Sequence, residues 1–580
     1  MRKFWSLLIL SLLLVASLFS LGITSGHLGL DDWGYTSGCP FVRDGLSLRN
    51  ISRAFCDFGY GAIWMPVTFV SYMMDISIFG DDWRVYHAVN VALHLVNFVL
   101  VLLFVKRLVA LLGVASKEAA AFAALAGALV WAVHPMRGES VAWIASRKEE
   151  LWTMFALLGL MQYVEFVKTG RALRYVATTF FFVLACLSKP TAICFPFLAA
   201  AIHLLVLRRV NARRAVWLLP LLAISAAVGA LTLYSQSHPS GAMPVDLYEA
   251  SFGWRILNAC VSLGLYLWHT LFPAGIHMNY MAEFDGWPHD GVLGLCSLAV
   301  GIAALCFAMS RIRGVRTVLL LAFMLFMFSV GPTLGVLGYV NGDQAMADRY
   351  MYFPHIALGI LVAVAIGRCI ESGIRSRTIA MAVALTVVGE VLLAVPVVKS
   401  YENDYKACSR TLESDPENWR ALRVAGNECC ARLDRCQEGV EMLRKSLKLR
   451  PSKSTAESLA YILALKGGTN DFAEVRQLCA GAMRNPAYDS GGMMLDALGI
   501  VCMREGKFKD AAKFFDASLR VPSRNHSSDH TLLWLGLCLA NMNEDARALR
   551  TLARAKRSKD ERVRRRAESA IYRISNGDRP

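Results

Sequence analysis

Two adjacent acids, Asp31 and Asp32, follow the first long apolar run and open a polar stretch, Gly29-Leu30-Asp31-Asp32-Trp33. A carboxylate at a membrane surface can take the proton from an acceptor hydroxyl or ligate a metal ion, although the same pair also suits a plain solvated loop. His87, Asn90 and His94 come next. A spacing of seven puts both histidines on one helix face, two turns apart, with Asn90 on the same face. Polar side chains within an apolar helix must point into protein or a wet cavity, so His94 suits an inter-helix hydrogen bond. Further polar groups interrupt apolar sequence in short blocks: His134-Pro135 with Glu139, then Arg147-Lys148-Glu149, Leu187-Ser188-Lys189-Pro190, and Asp348-Arg349-Tyr350-Met351-Tyr352.

The elements that must carry these residues are membrane helices. The 580 residues are 55% hydrophobic and only 18% charged, which excludes a purely soluble enzyme. Mean hydropathy is +0.42. The apolar excess stops near residue 398, dividing the chain into a membrane domain, 1–398, and a soluble helical domain, 399–580. Spans are expected near 4–22, 86–105, 118–134, 149–167, 173–187, 190–207, 215–234, 291–309, 317–339, 351–368 and 378–397. The first reads as an uncleaved span, because no small-residue cleavage site precedes Asp31. A further segment, 254–272, decides the topology. If it is re-entrant or interfacial, every Lys/Arg cluster in a short loop lies on the cytoplasmic side: Arg2/Lys3, Lys106/Arg107/Lys117, Lys168/Arg171/Arg174, Arg208/Arg209/Arg213/Arg214, Arg311/Arg313/Arg316 and Arg368/Arg375/Arg377. Eleven spans then put loops 23–85, 135–148, 235–290 and 340–350 on the far side, together with the C-terminal domain. Those loops hold nearly all the polar residues named above.

The formal charge of +16 is diffuse, and no aromatic-rich basic motif accompanies it, so nucleic acid is not an expected partner and a lipid bilayer is. In the soluble domain, prolines at 416, 451, 486 and 522 recur close to the tetratricopeptide period. Leu498-Gly499 with Gly506, Ala511 and Phe515, and Leu535-Gly536 with Ala548, Leu552 and Ala555, place small residues where paired helices cross. Gly439, Leu443 and Ser446 fit the second half of an earlier unit. Such units stack into a solenoid with a groove, and Arg547–Arg573 reads as its polar cap. Fifteen cysteines are scattered without zinc spacing; seven lie beyond residue 398, where an oxidising compartment would permit disulfides.

The ordered blocks, with Trp64-Met65-Pro66 and Tyr86-His87-Ala88-Val89-Asn90-Val91-Ala92-Leu93-His94 ahead of them and the repeat tail behind, resemble the polytopic glycosyltransferases of the GT-C fold that carry tetratricopeptide repeats. These are the bacterial membrane tetratricopeptide proteins and the eukaryotic transmembrane O-mannosyltransferases. The likeness covers nearly the whole chain. It implies an all-α polytopic bundle followed by a tetratricopeptide solenoid. It further implies an inverting enzyme that transfers a sugar, mannose in the eukaryotic relatives, from a polyprenyl-phosphate carrier to a hydroxyl, usually on protein. Asp31 and Asp32 match the first-loop acids of the fold, one of them the base, with Asp31 favoured. Arg147, Lys148, Lys189 and Arg349 are the cations that would bind the donor phosphate, Arg in a bidentate manner and Lys as a point charge. His87, His94, His134, Glu139, Glu149, Asp348, Tyr350 and Tyr352 are expected to touch substrate or support those that do. Glu149 stands where the family often has Asp.

No cofactor is required by this reading, and no cage of oxygen ligands is evident for a divalent metal, whose use the resemblance leaves open. The expected partners are the lipid-linked sugar and a protein held by the repeats. The expected location is a multi-pass membrane protein of the bacterial inner membrane with periplasmic repeats, lumenal in a eukaryote. The competing function is a non-catalytic scaffold or transporter using the repeats for assembly; a transporter calls for polar groups near mid-membrane, whereas here they crowd at span ends.

Overall fold

The computed structural model describes residues 2–579 apart from 30, 62, 114–115, 208–211, 239–250, 282–289, 312–314, 337–343, 484–491, 522–527 and 559. Arg208, Arg209, Arg313, Pro486 and Pro522 therefore lie outside the described residues. Two compact units form, Met1–Ser414 and Asp415–Pro580.

The first unit is helical, and seven of its described helices are long and apolar enough to cross a membrane: Arg2–Ser20, Trp83–Leu112, Pro190–Leu207, Arg213–Ser237, Gly291–Arg311, Arg316–Thr333 and Ser376–Ser400. Two other expected spans, 118–134 and 173–187, correspond to shorter apolar helices. The helix over 149–167 begins earlier, at Arg147, and carries four charged residues in its first turn; that over 351–368 is Ile356–Glu371, only 16 residues long. The doubtful segment 254–272 is one continuous helix, Phe252–Leu271.

The Trp83–Leu112 helix is central to the unit. Asp82 caps its start by accepting from the Arg84 N–H at 2.9 Å, and Gly113, at φ +64°, ends it. Its buried face includes His87, Asn90, His94, Asn97, Val101 and Leu108, which recur at helical spacing. His87 and Arg107 are 20 residues apart on this helix, so about 30 Å separates the histidine end from the basic end. At that basic end Arg107 pairs with Glu165, and Arg214 closes the Arg147–Thr169 helix by donating to the carbonyls of Phe166 and Val167.

Glycines let two helix pairs approach backbone to backbone. A Cβ on Gly127 would clash with the Gly359 carbonyl oxygen, and one on Gly264 with that of Gly294. One two-stranded antiparallel ladder, Tyr280–Met281 with Gln344–Met346, is the exception to the all-α expectation. It carries the chain towards Asp348 and Arg349.

The first unit runs past residue 398, and hydrogen bonds explain why. The Gly26 N–H donates to the Glu402 carbonyl, the Gly29 N–H to the Asp404 carboxylate, and Arg410 to the Ile276 carbonyl. A Cβ on Gly29 would sit 2.8 Å from Asp404 Oδ2, so that position keeps a glycine.

The second unit is a tetratricopeptide-like stack of helical hairpins. Its described helices pair as Trp419–Ala431 with Cys436–Leu449, Lys453–Lys466 with Phe472–Met483, Gly492–Arg504 with Phe508–Arg520, and Ser528–Asn541 with Asp545–Ala555, before a final Glu561–Ser575. The expected small residues sit at the crossings. A Cβ on Gly499 would meet Phe515 at 2.7 Å, one on Gly536 would meet Leu552 at 2.6 Å, and Gly426 and Gly439 face each other. Ser446 Oγ ties the first hairpin by donating to the Trp419 carbonyl at 2.7 Å.

Alanine gains about 1 kcal/mol over glycine in a helix, but a Cβ forced against backbone costs about 1–3 kcal/mol. Gly127→Ala should therefore lower the thermal midpoint of the detergent-solubilised protein, while Gly229→Ala, where a Cβ meets open space, should not. Equal midpoints would refute the close crossing of Lys117–Val133 with Ile356–Glu371.

Candidate functional site

The two adjacent acids have different surroundings. Asp32 opens the short turn Asp32–Tyr35 and is fully buried. Its Oδ2 accepts from the Leu28 N–H and its Oδ1 from the Ala145 N–H, both at 2.8 Å. Burial pushes its pKa up to about 7, against the pull of these two donors. Asp31 is only half-buried, and its charge acts on Asp32, Tyr35 and Lys148. Asp32 thus fastens the loop, and Asp31 presents a carboxylate beside a lysine.

Three cations gather on the same side. Lys148 Nζ donates to the Ala145 carbonyl at 3.0 Å and to Tyr35 Oη at 3.3 Å, and lies 4.6 Å from the centre of the Tyr35 ring. Burial brings its pKa down to about 8, with Asp31 opposing that shift and Arg349 and Lys189 adding to it. Lys189 pairs with Glu149 and sits 4.6 Å over the Tyr350 ring, while Glu149 also accepts from Trp152 Nε1 at 2.9 Å. Arg349 pairs with Glu139, whose second oxygen takes the Arg349 backbone N–H at 2.7 Å. Its guanidinium also reaches Gln344 Oε1 at 2.9 Å and lies over the rings of Trp143 and Tyr350. Among the described residues, Lys148 has no carboxylate within ion-pair distance. Two of the three cations are thus paired with internal carboxylates, and Lys148 differs from them in its partners.

Arg147 does not join them. One step along a helix turns a side chain by about 100°, and Arg147 meets different partners from Lys148. It is wholly buried: Nε donates to Asn90 Oδ1 at 2.8 Å, Nη2 to the Tyr86 carbonyl at 3.0 Å, Nη1 to Asp75, and the guanidinium lies 4.3 Å from the Tyr72 ring centre. Its guanidinium is thus held by protein groups, apart from the other three expected cations.

The histidines brace the surroundings. His94 accepts from Tyr352 Oη at 2.7 Å and donates to the Ala132 carbonyl at 3.1 Å, the inter-helix bond its position suggested. His87 Nε2 lies 3.3 Å from the Gly26 carbonyl, beneath the loop that carries the acids. His134 holds the Thr270 carbonyl at 3.2 Å and accepts from the Met136 N–H. Asp348 accepts from Tyr280 Oη at 3.0 Å, and Tyr352 also takes a bond from Asn97. These residues support the cluster without lining it.

Several participants escape the sequence reading. Tyr35 is four residues after Asp31, a helical spacing that would have flagged it. Trp143 lies between Glu139 and Arg147, two positions already singled out. Gln344, Asp75 and Asp404 carry no local signal, since long-range folding alone brings them to their partners. Among the described residues no group of three or more His, Cys, Asp or Glu is disposed to hold a metal ion. A cavity of about 470 Å³, lined by residues including Arg53, Asp57, Tyr234 and His238, shares no member with the cluster.

No protein-family model and no curated protein matches the chain. Among solved structures, the crystal structure of the yeast Tom70 aligns at 11% identity over 78% of this chain and 92% of that one, with a TM-score of 0.21.

Proposed function

We propose that the chain is a membrane glycosyltransferase that moves a sugar from a polyprenyl-phosphate carrier to a hydroxyl, on protein, at the non-cytosolic face of an eleven-span bundle. One observation carries this reading: a partly exposed carboxylate, Asp31, stands beside a buried cation, Lys148, that no carboxylate neutralises, with Lys189 and Arg349 close enough to influence its charge. Asp31 takes the acceptor proton as the acceptor oxygen attacks the anomeric carbon. The carbon–oxygen bond to the phosphate breaks on the opposite side, which inverts the centre. Lys148 meets the charge that develops on the departing phosphate. Glu149 and Glu139 hold Lys189 and Arg349 around it. The repeat unit gathers the protein acceptor and raises its concentration near the acids. The donor is named by class, a polyprenyl-phosphate hexose, mannose among them.

A positioned base contributes about 10²–10⁴-fold to rate. Asp31→Asn should lower sugar transfer to protein in proteoliposomes supplied with the lipid donor by at least about 100-fold, leaving the thermal midpoint unchanged. Unaltered turnover would take Asp31 out of the chemistry, and a donor left intact by the unmodified protein would favour a scaffold.

The rate should also follow a bell in pH. On the acid side, Asp32 has a folded pKa of about 7, raised from 3.8, so protonation begins near neutrality. The neutral carboxyl no longer accepts equally from Leu28 and Ala145, and the loop holding Asp31 loosens as pH falls through 7. On the alkaline side, Lys148 loses its charge above about 8. A guanidinium stays charged there, so Lys148→Arg should carry the alkaline limb upward and leave the acid limb in place. An alkaline limb at the same pH in both proteins would show that Lys148 does not set it.

A further inference from the structure

The second unit contains two thiols at a helix turn. Cys430 lies in the last turn of Trp419–Ala431, and Cys436 is the first residue of Cys436–Leu449. Both are free thiols, Cys430 buried and Cys436 half-buried. Cys430 Sγ lies 3.5 Å from the Cys436 carbonyl oxygen. The Cys430 sulfur is pressed into the start of the second helix, where a Cβ on Gly439 would be only 2.4 Å from it. The turn between them is tight: Asp434 adopts φ +53°, and the Arg435 N–H returns to the Cys429 carbonyl at 3.0 Å. The tight turn thus brings the Cys430 sulfur to the backbone of Cys436, the first requirement for a bond between the two side chains.

We propose that Cys430 and Cys436 form a disulfide that locks the first hairpin of the repeat stack when this unit meets an oxidising compartment. Where the bond forms in the cell rests on the non-cytosolic placement proposed above. The chemistry is thiol–disulfide exchange with an external disulfide, either a small-molecule disulfide or an oxidised dithiol protein. The thiolate of the half-exposed Cys436 attacks one sulfur of that disulfide and releases one reduced thiol. The Cys430 thiolate then attacks the Cys436 sulfur and releases the second. Two protons leave the protein with the two reduced thiols, and the external disulfide is the species reduced. The bond would serve the stack because a terminal repeat has a neighbour on one side only and opens more readily than those inside.

The test uses the full-length protein in two arms. In the first, membranes are lysed in an alkylating agent and the peptides are mapped by mass spectrometry before and after reduction. In the second, purified reduced protein is incubated with oxidised glutathione and mapped in the same way. Expected in both is a linked Cys430–Cys436 peptide that resists alkylation until reduced. Cys436→Ser, at the half-exposed position, should abolish the linked peptide while leaving helical content intact. Two alkylatable cysteines after the glutathione arm would overturn the proposal. Linkage with glutathione but free thiols in the membranes would leave the pair standing and remove the non-cytosolic placement of the repeat unit.

Discussion

The Asp32 carboxylate joins two stretches of chain that lie 113 residues apart. Leu28 and Ala145 each direct a backbone N–H into the interior, and both bonds end on this one side chain. Leaving either donor unpaired costs about 1–3 kcal/mol, so the first loop and the turn before Arg147–Thr169 are held to each other by a single acid. Asp31 is the next residue along one stretch, and Lys148 is three residues along the other. Their closeness follows from that anchor. Burial works against the ionised form and the two donors favour it, so the anchor titrates near neutrality and not in the usual carboxylate range.

The charges around this anchor are arranged to be rigid. Removing one partner of a buried ion pair costs about 3–5 kcal/mol, so Glu149 and Lys189, and Glu139 and Arg349, hold each other in place. A phosphate would have to compete with those carboxylates for the same donors. Lys148 differs, because its own hydrogen bonds go to a carbonyl and a phenol and not to a carboxylate. An aromatic face repays part of the cost of removing an ammonium from water and still leaves donors available. Tyr350 does the same for Lys189 and Arg349 together, which ties the turn before Ile356–Glu371 to the junction at Pro190.

Sequence reading reached the parts of this arrangement that periodicity controls. His87, Asn90 and His94 share a buried face because seven residues make two helical turns, and the glycine and alanine positions of the repeats sit at crossings because only small residues fit there. The acids at 31 and 32 were found as a pair, but their division of labour was not legible, since it depends on which one the Leu28 and Ala145 amides reach. The surroundings of Arg147 were not legible for a related reason: its neighbour in sequence suggested a shared role, and only the fold reveals Asp75, Tyr72 and Asn90 around its guanidinium. Asp404 lay beyond the expected domain boundary, and its bond to Gly29 spans 375 residues. No local pattern encodes a contact of that separation.

The first turn of Arg147–Thr169 shows how much one helix start can organise. Four charged residues in succession take four different partners or settings: Arg147 meets Asp75, Lys148 meets Tyr35, Glu149 meets Lys189, and Glu150 is buried with neither oxygen hydrogen-bonded among the described residues. The helix dipole favours the two glutamates at this end and opposes the two cations. Arg147 overcomes that opposition with an internal counter-ion. Lys148 has no ion pair among the described residues and rests instead on the Ala145 carbonyl and the Tyr35 phenol. A protein built only for stability would place a neutral residue at 148, because a polar surface is easily made without burying an uncompensated charge. On the proposed reading, the donor phosphate offsets that cost when it meets Lys148, and Asp31 is the base that acts beside it.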